Sequence, residues 1–263
     1  MQIILGQYVP GNSVIHRLDS RAKLMAVFLF VMVVFLANNW IGYTILGAFT
    51  ALTIILSKVP FSFIYRGLKP VLWIILFTFL LHIFMTKTGP VLVSIGPLDI
   101  HKGGVTQGIF IACRFFFLIV VTTLLTLTTT PIEITDGMES LLGPLKKLSL
   151  PVHELALMMS ISLRFIPTLM QETEKIIKAQ SARGAKFTNG TIKERLQSIV
   201  PLLIPLFINA FKRAEDLAFA MEARGYRGGE GRTKLRELSW KGKETMSLVV
   251  ILLLSVALYF VRS

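Results

Sequence analysis

The chain is poor in charge for its length, and it contains a single cysteine. Only 16% of its 263 residues are charged, 53% are hydrophobic, and the mean hydropathy is +0.67. Soluble domains carry about 25% charged residues, so this composition excludes an ordinary soluble domain and predicts a membrane protein. Because Cys113 stands alone, the chain can form neither an internal disulfide nor a cysteine-based zinc site.

The sequence also lacks the motifs of an enzyme. The glycine-rich stretch Gly225–Arg232 has no G-K-[ST] ending, so it is not a phosphate-binding loop, and we interpret it as a link. The four histidines are dispersed without metal-ligand spacing, and no nucleophile and base can be paired. We therefore expect no catalysis, no ATP hydrolysis, no metal and no cofactor in this chain.

Five apolar runs are present: Leu24–Ala37, Ile41–Leu56, Val71–Met85, Gly108–Thr130 and Met246–Val261. A hydrocarbon core of about 30 Å needs about 20 helical residues, so flanking residues must complete the shorter runs. None of the five contains Asp or Glu, which disfavours a proton relay or cation site and hence a stand-alone permease. Arg114 interrupts the fourth run, and we expect its side chain to reach the lipid headgroups.

The net charge of +13 is distributed unevenly along the chain. It is scattered among acidic residues rather than striped along one face, which argues against nucleic-acid binding. Basic residues cluster before the first run and between the second and third, whereas the opposite loops have few. The positive-inside rule then puts the N-terminus and residues 131–242 in the cytoplasm and the C-terminus outside. The basic residues concerned are Arg17, Arg21, Lys23, Lys58, Arg66 and Lys69.

These patterns predict an all-α polytopic membrane protein with about five transmembrane helices and a cytoplasmic helical coupling domain inserted before the last span. The expected boundaries are a lead-in 1–23, a four-span domain 24–130, a coupling domain 131–242 and a final span 243–263. Within the coupling domain we expect two long helices, about 151–183 and 191–224, at the membrane interface. Their apolar stretches, 155–170 and 199–211, are either interfacial or enter the membrane.

One short pattern, A-x-x-A-R-G, occurs twice in the predicted coupling domain. It ends at Gly184 in one copy and at Gly225 in the other, and each copy closes a helical pattern. Arg near a helix C-terminus followed by Gly is an ordinary helix stop. Two copies in one polar segment predict something more, namely two equivalent contacts with two equivalent partners.

The duplicated motif and the lead-in together resemble one family, the transmembrane subunit of energy-coupling factor (ECF) transporters, EcfT. The lead-in residues that carry the resemblance are Gly6–Ser13 and Ile15–Leu24. The order of four spans, cytoplasmic segment and one span is similar as well, so the resemblance covers nearly the whole chain. The lead-in is similar to the shared-module type; a subunit dedicated to cobalt or nickel is the alternative.

The resemblance implies a scaffold for two ABC-type ATPases, which carry the ATP and Mg²⁺, and for an exchangeable substrate-binding membrane protein, the S-component, that imports a vitamin. It assigns ATPase coupling to the motif residues Ala182, Arg183, Gly184, Ala223, Arg224 and Gly225. The apolar stretches are candidates for the S-component contact because methionines suit a surface that repacks against different partners. These candidates are Leu155, Met158, Met159, Leu163, Pro167, Met170, Pro201, Leu202, Pro205 and Leu206.

Overall fold

The computed structural model describes residues 8–95, 98–144, 151–185, 187, 191–228 and 238–262. Eight α-helices and one antiparallel hairpin make up the regular structure of these residues. They are α1 Ser20–Val34, α2 Trp40–Ser57, α3 Phe61–Met85, β1 Val91–Ile95, β2 Leu98–His101, α4 Lys102–Thr128, α5 Pro131–Leu141, α6 Val152–Ala182, α7 Ile192–Ala223 and α8 Gly242–Arg262. The predicted all-α class of membrane protein is confirmed.

The helices divide into two compact units. Met1–Leu141 and Glu237–Ser263 form the first, which holds α1 to α5 and α8; Leu142–Arg236 form the second, which holds α6 and α7. Helix α5 belongs to the first unit because it packs against α1. The two helices are so close at Gly137 that a Cβ atom there would collide with the Ser20 hydroxyl. The sequence analysis placed this helix in the coupling domain, whereas the second compact unit begins after it, at Leu142.

Among the described residues, five helices are long and apolar enough to cross a membrane: α2, α3, α4, α6 and α8. Four of them contain apolar runs that the sequence predicted as spans. The two sets differ in α1, which was predicted to span, and in α6, which was not. Helix α1 has 15 residues, fewer than the roughly 17 needed to span unaided. Helix α6 qualifies because its charges are concentrated in its second half, so its first half is apolar. Its expected place at the interface stays a prediction.

Glycines bring α3 and α4 together along most of their length. A side chain at Gly104 would lie 2.8 Å from the carbonyl oxygen of His82, and one at Gly108 would lie 3.0 Å from the ring of Phe79. At the other end of the pair, a side chain at Gly67 would meet Thr123 at 2.7 Å. Small residues spaced four apart are a typical device of membrane helix pairs, because there packing rather than water exclusion drives association.

The main core of the first unit joins α1, α2, α4 and α8. Phe30, Leu46, Val121 and Leu258 are buried in it, and the rings of Phe30 and Phe49 stack at 5.6 Å. The end of this bundle where α1 and α8 begin and α2 and α4 end is called the basal end below. There the buried carboxylate of Glu244 accepts hydrogen bonds from the backbone N–H groups of Asp19 and Lys241, at 3.4 and 2.9 Å.

Arg114 lies at the opposite end of the core, and its partners are inside the protein. Its Nη2 donates to the carbonyl oxygen of Ala37 at 3.3 Å, and its guanidinium carbon lies 5.2 Å from the ring centroid of Phe35. Both partners belong to the turn that follows α1. The expectation that this side chain reaches the headgroups stays a prediction; the guanidinium also supplies a donor to a carbonyl group left without a helical partner after the short α1.

Candidate functional site

The two A-R-G copies end α6 and α7 with the same backbone geometry. At the end of α6, Gly184 N donates to Ser181 O and Ala185 N donates to Gln180 O, both at 3.0 Å. At the end of α7, Gly225 N donates to Glu222 O at 2.8 Å and Tyr226 N donates to Met221 O at 3.0 Å. Each pair of bonds joins residues three and five apart, which is the Schellman motif that satisfies the last carbonyls of a helix.

The glycine of each copy is required by backbone conformation rather than by space. Gly184 has φ +91° and Gly225 has φ +72°, and a side chain at either position would meet no atom within 4 Å. A positive φ is strained for a residue with a Cβ atom, whereas glycine adopts it readily. The glycines therefore fix where each helix stops and, with it, where the preceding arginine lies.

Arg183 and Arg224 consequently sit at equivalent positions, each immediately after the last helical residue. Both are exposed, as are Ala182 and Ala223 before them. Neither guanidinium forms a hydrogen bond or ion pair with any residue that the structure describes. An exposed guanidinium between a small residue and a glycine leaves its planar donor fork accessible to a partner's carboxylates or carbonyls.

Helices α6 and α7 pack side by side in opposite directions. Glu172 and Arg213 form an ion pair between them, and further along, Gln180 Nε2 donates to the carbonyl oxygen of Pro201 at 3.4 Å. That carbonyl is available because the residue four positions later is Pro205, which has no N–H to donate within the helix. The proline thus leaves α7 an acceptor that the end of α6 uses.

The antiparallel arrangement separates the two arginines. Gln180, one turn before Arg183, contacts Pro201, whereas Arg224 lies 23 positions beyond Pro201 along the same helix. At 1.5 Å per residue, the two guanidinium-bearing ends are roughly 35 Å apart. One compact unit therefore presents two equivalent basic helix ends at opposite ends of a helix pair.

The residues predicted for the S-component contact fall into two groups by exposure. Leu155, Met158, Met159, Pro167 and Pro201 are exposed, with Met158 at 54%. The others, Leu163, Met170, Leu202, Pro205 and Leu206, are half-buried. The first group forms part of an open apolar surface; the second lies closer to the packed side of the two helices.

The predicted stretch 199–211 of α7 contains a continuous apolar stripe whose residues are not among the individual S-component candidates named above. Its members are at least 55% exposed in every case: Val200, Ile204, Phe207, Ile208 and Phe211, the last at 72%. Their spacing of four, three, one and three places them on one helical face. That periodicity separates them from Leu202 and Leu206 in the sequence, but since both faces are apolar it does not indicate which one is exposed.

The lead-in is folded against the basal end of α4. Val9 N donates to Leu127 O at 2.9 Å, and the buried ammonium of Lys23 donates to Thr128 O at 2.9 Å, His16 O at 3.2 Å and Thr129 Oγ1 at 3.3 Å. His16 holds the loop itself, with Nε2 3.0 Å from Val9 O and Nδ1 2.7 Å from Ser13 Oγ. Since a carbonyl only accepts, Nε2 carries a proton.

Within the part of the chain that the structure describes, no three His, Cys, Asp or Glu side chains are grouped closely enough to hold a metal ion.

Fold and site together define a multi-pass membrane protein with a two-helix unit that displays paired basic helix ends. A family model described as "Cobalt transport protein" (CbiQ) matches residues 11–235. The chain is 65% identical over 261 residues to the energy-coupling factor transporter transmembrane protein EcfT of Bacillus subtilis (strain 168), covering 99% of this chain and 98% of that one. It is 57% identical over 262 residues to the EcfT of Listeria innocua, covering 100% and 99%.

These matches extend over nearly the whole chain. A third relative, the EcfT of Streptococcus thermophilus, is 49% identical over 262 residues, covering 100% of this chain and 99% of that protein. The chain belongs to the CbiQ family of transport proteins, as a transmembrane subunit of the energy-coupling factor type. The resemblance drawn from the lead-in and the A-R-G pair is confirmed.

Proposed function

We propose that this chain is the scaffold and coupling subunit of an ECF-type importer. It binds two ABC-type ATPases through Arg183 and Arg224, and it binds an exchangeable S-component through the apolar surfaces of α6 and α7. The observation that carries the proposal is the repeated helix end: the same bonds, the same left-handed glycine and the same exposed arginine occur twice in one helix pair. Two equal sites suit two equal or homologous subunits.

Each arginine can bind strongly because of where it sits. A guanidinium offers up to five donors in a planar fork, which a groove lined by carboxylates or helix-end carbonyls can accept two at a time. The flanking Ala182 and Ala223 have no bulk that would hold a partner's surface away. Removing one partner of a buried charge pair costs about 2–5 kcal/mol, so loss of either arginine should weaken the assembly strongly.

The helix pair is built to transmit movement between its ends. The ion pair Glu172–Arg213 and the bond from Gln180 to Pro201 tie α6 to α7 near the middle and near one end. When ATP binding and hydrolysis, with Mg²⁺, change the distance between two ATPases, sites roughly 35 Å apart must move relative to each other. The helices then slide or tilt, and the S-component lying on their apolar surfaces is reoriented.

The remaining parts of the proposal concern orientation and cargo. The positive-inside rule puts the second unit in the cytoplasm, where ATP is available, and the C-terminus outside. Substrate choice resides in the S-component, and a vitamin or similar micronutrient is the expected cargo of a shared module. A subunit dedicated to cobalt or nickel is the alternative, and it predicts one fixed membrane partner instead of several.

A pull-down from detergent-solubilised membranes tests the ATPase contact. The native chain is compared with Arg183→Glu/Arg224→Glu and with a matched control, Lys178→Glu/Arg227→Glu. The control reverses the same amount of charge at exposed positions within five residues of the motifs. Because all four side chains are exposed, each variant should insert and fold as the native chain does.

The native chain and the control should recover two ABC ATPases and the motif variant should recover none. ATPases that stay with the motif variant, or that are lost equally from the control, would refute the assigned role of the arginines. Vitamin uptake by cells expressing each variant gives the functional counterpart. Uptake by the purified chain alone in vesicles would instead support a stand-alone permease.

A further inference from the structure

The first unit contains an apolar cleft that the proposed function does not use. Its volume is about 480 Å³, which falls within the range of ligand sites. It opens at the basal end between the lead-in, α1, α2, α4 and α8. The lining includes Ala26 and Val27 of α1, Leu52 of α2, Leu125 of α4 and Val250 of α8. We call it the basal cleft.

The cleft is about two thirds to four fifths as deep as one leaflet of a bilayer. Along α8 its lining runs from Lys243 to Ile251, and along α1 from Lys23 to Phe30. Eight and seven residues of helix correspond to about 12 and 10 Å, whereas half of a 30 Å hydrocarbon core is about 15 Å. The inner end is closed by Phe30, Val121 and Ile251, which are buried in the core.

The walls offer a ligand almost nothing polar. The hydroxyls of Thr53 and Thr128 donate to carbonyl oxygens of their own helices, Phe49 and Leu124, and the hydroxyl of Ser247 donates to Glu244 O. The ammonium of Lys23 is held by the lead-in and the end of α4. A polar solute such as a vitamin would lose its hydration here without compensation, so the cleft suits a hydrocarbon chain.

One cationic group stands at the rim of the cleft. Lys243 lines the cleft at the start of α8, it is exposed, and it forms no hydrogen bond or ion pair with the described residues. An exposed ammonium next to an apolar slot of this depth complements a molecule with one negative headgroup and a long apolar tail. A lipid acyl chain meets the second requirement and an anionic phosphate meets the first.

We propose that the basal cleft is a binding site for one anionic phospholipid, with an acyl chain between α1, α2 and α8 and the phosphate on Lys243. The lipid fills the gap between α2 and the pair formed by α1 and α8, which the bond from Asp19 N to Glu244 joins at this end. The site is separate from the A-R-G helix ends and does not depend on the ATPase contact.

Native mass spectrometry of the full-length chain in neutral detergent tests the site. Phosphatidylglycerol and phosphatidylcholine with the same acyl chains are titrated in parallel. The native chain should bind one phosphatidylglycerol on the order of fivefold more tightly than phosphatidylcholine, the preference expected for one lysine at a membrane surface. Lys243→Gln should abolish the preference, and Lys58→Gln, an exposed lysine near the same end that does not line the cleft, should retain it.

A second pair of variants tests the slot rather than the charge. Leu52→Trp places a ring in the mouth of the cleft, and Ile55→Trp places the same ring on the same helix outside it; both positions are exposed, at 53% and 71%. Leu52→Trp should weaken both lipids at least tenfold and Ile55→Trp neither. If Leu52→Trp does not fold, Val250→Phe, with Leu253→Phe as its control, fills the slot from α8.

Three results would overturn the proposal. They are equal binding of the two lipids by the native chain, a preference for phosphatidylglycerol that survives Lys243→Gln, and lipid binding that survives filling of the cleft.

Discussion

Replacing Lys23 by Met should destabilise the first unit by about 2–4 kcal/mol. Lys23 is only 5% exposed, and its ammonium donates hydrogen bonds to Thr128 O, His16 O and Thr129 Oγ1. A hydrogen bond to a charged group contributes about 1.5–3 kcal/mol net of solvation. Because Thr128 is 1% exposed, the hydrogen bond to its carbonyl contributes its full free energy. Loss of a cation from the C-terminal end of α4 adds up to about 1 kcal/mol. The other two acceptors are weaker contributors, because a half-buried carbonyl can bind water and a hydroxyl can rotate.

Thermal unfolding in detergent measures the effect, followed by the fluorescence of the three tryptophans. In a chain of this size about 2–4 °C corresponds to 1 kcal/mol, so Lys23→Met should lower the Tm by roughly 5–15 °C. Lys58→Met, at an exposed position, is the control and should change the unfolding free energy by less than about 0.5 kcal/mol. A Tm for Lys23→Met equal to that of the control would refute the argument that the ammonium fastens the lead-in to α4.

Three further predictions follow from the packing. Gly104→Val should separate α3 from α4, because its Cβ alone would lie 2.8 Å from His82 O; a loss of at least 2 kcal/mol in the same unfolding assay is expected, whereas Gly143→Val, with open space around it, should cost far less. Arg114→Met should lower stability by about 1–3 kcal/mol by leaving Ala37 O without its donor, and an unchanged Tm would contradict that role. Phe207→Ser should leave ATPase recovery in the pull-down intact and reduce S-component recovery, whereas Phe219→Ser, also exposed but outside the stripe, should reduce neither.

The helix ends were predictable because their chemistry is local. The bonds that close α6 and α7 join residues three and five apart, and the left-handed glycine stands in the same short segment as the arginine it follows. Six consecutive residues therefore determine how each helix ends. The lead-in was recognisable as a motif, but its role was not, since its main partners, Leu127 and Thr128, are over 100 positions away.

The features that sequence inspection missed depend on which helices become neighbours. The acceptor for Arg114 is the carbonyl oxygen of Ala37, 77 positions away. No residue near Arg114 in the sequence indicates that partner. Along 199–211 nearly every residue is apolar, so composition could not say which face is covered. Packing against α6 decides it and leaves Phe207 and Phe211 outside while Leu206 is half-buried. Helical periodicity separates the two faces in the sequence but does not indicate which of them packs against α6.

The placement of α1 has a consequence for folding. This helix precedes the other described helices along the chain, yet it packs against α4, α5 and α8, and residues at its basal end bond to Thr128 and Glu244. The turn after it is tied by Asn39 to Val261, almost the last residue of the chain. The first helix of the bundle is thus completed by α8, so a chain that lacks α8 leaves Asp19 and Asn39, on either side of α1, without their bonds to Glu244 and Val261.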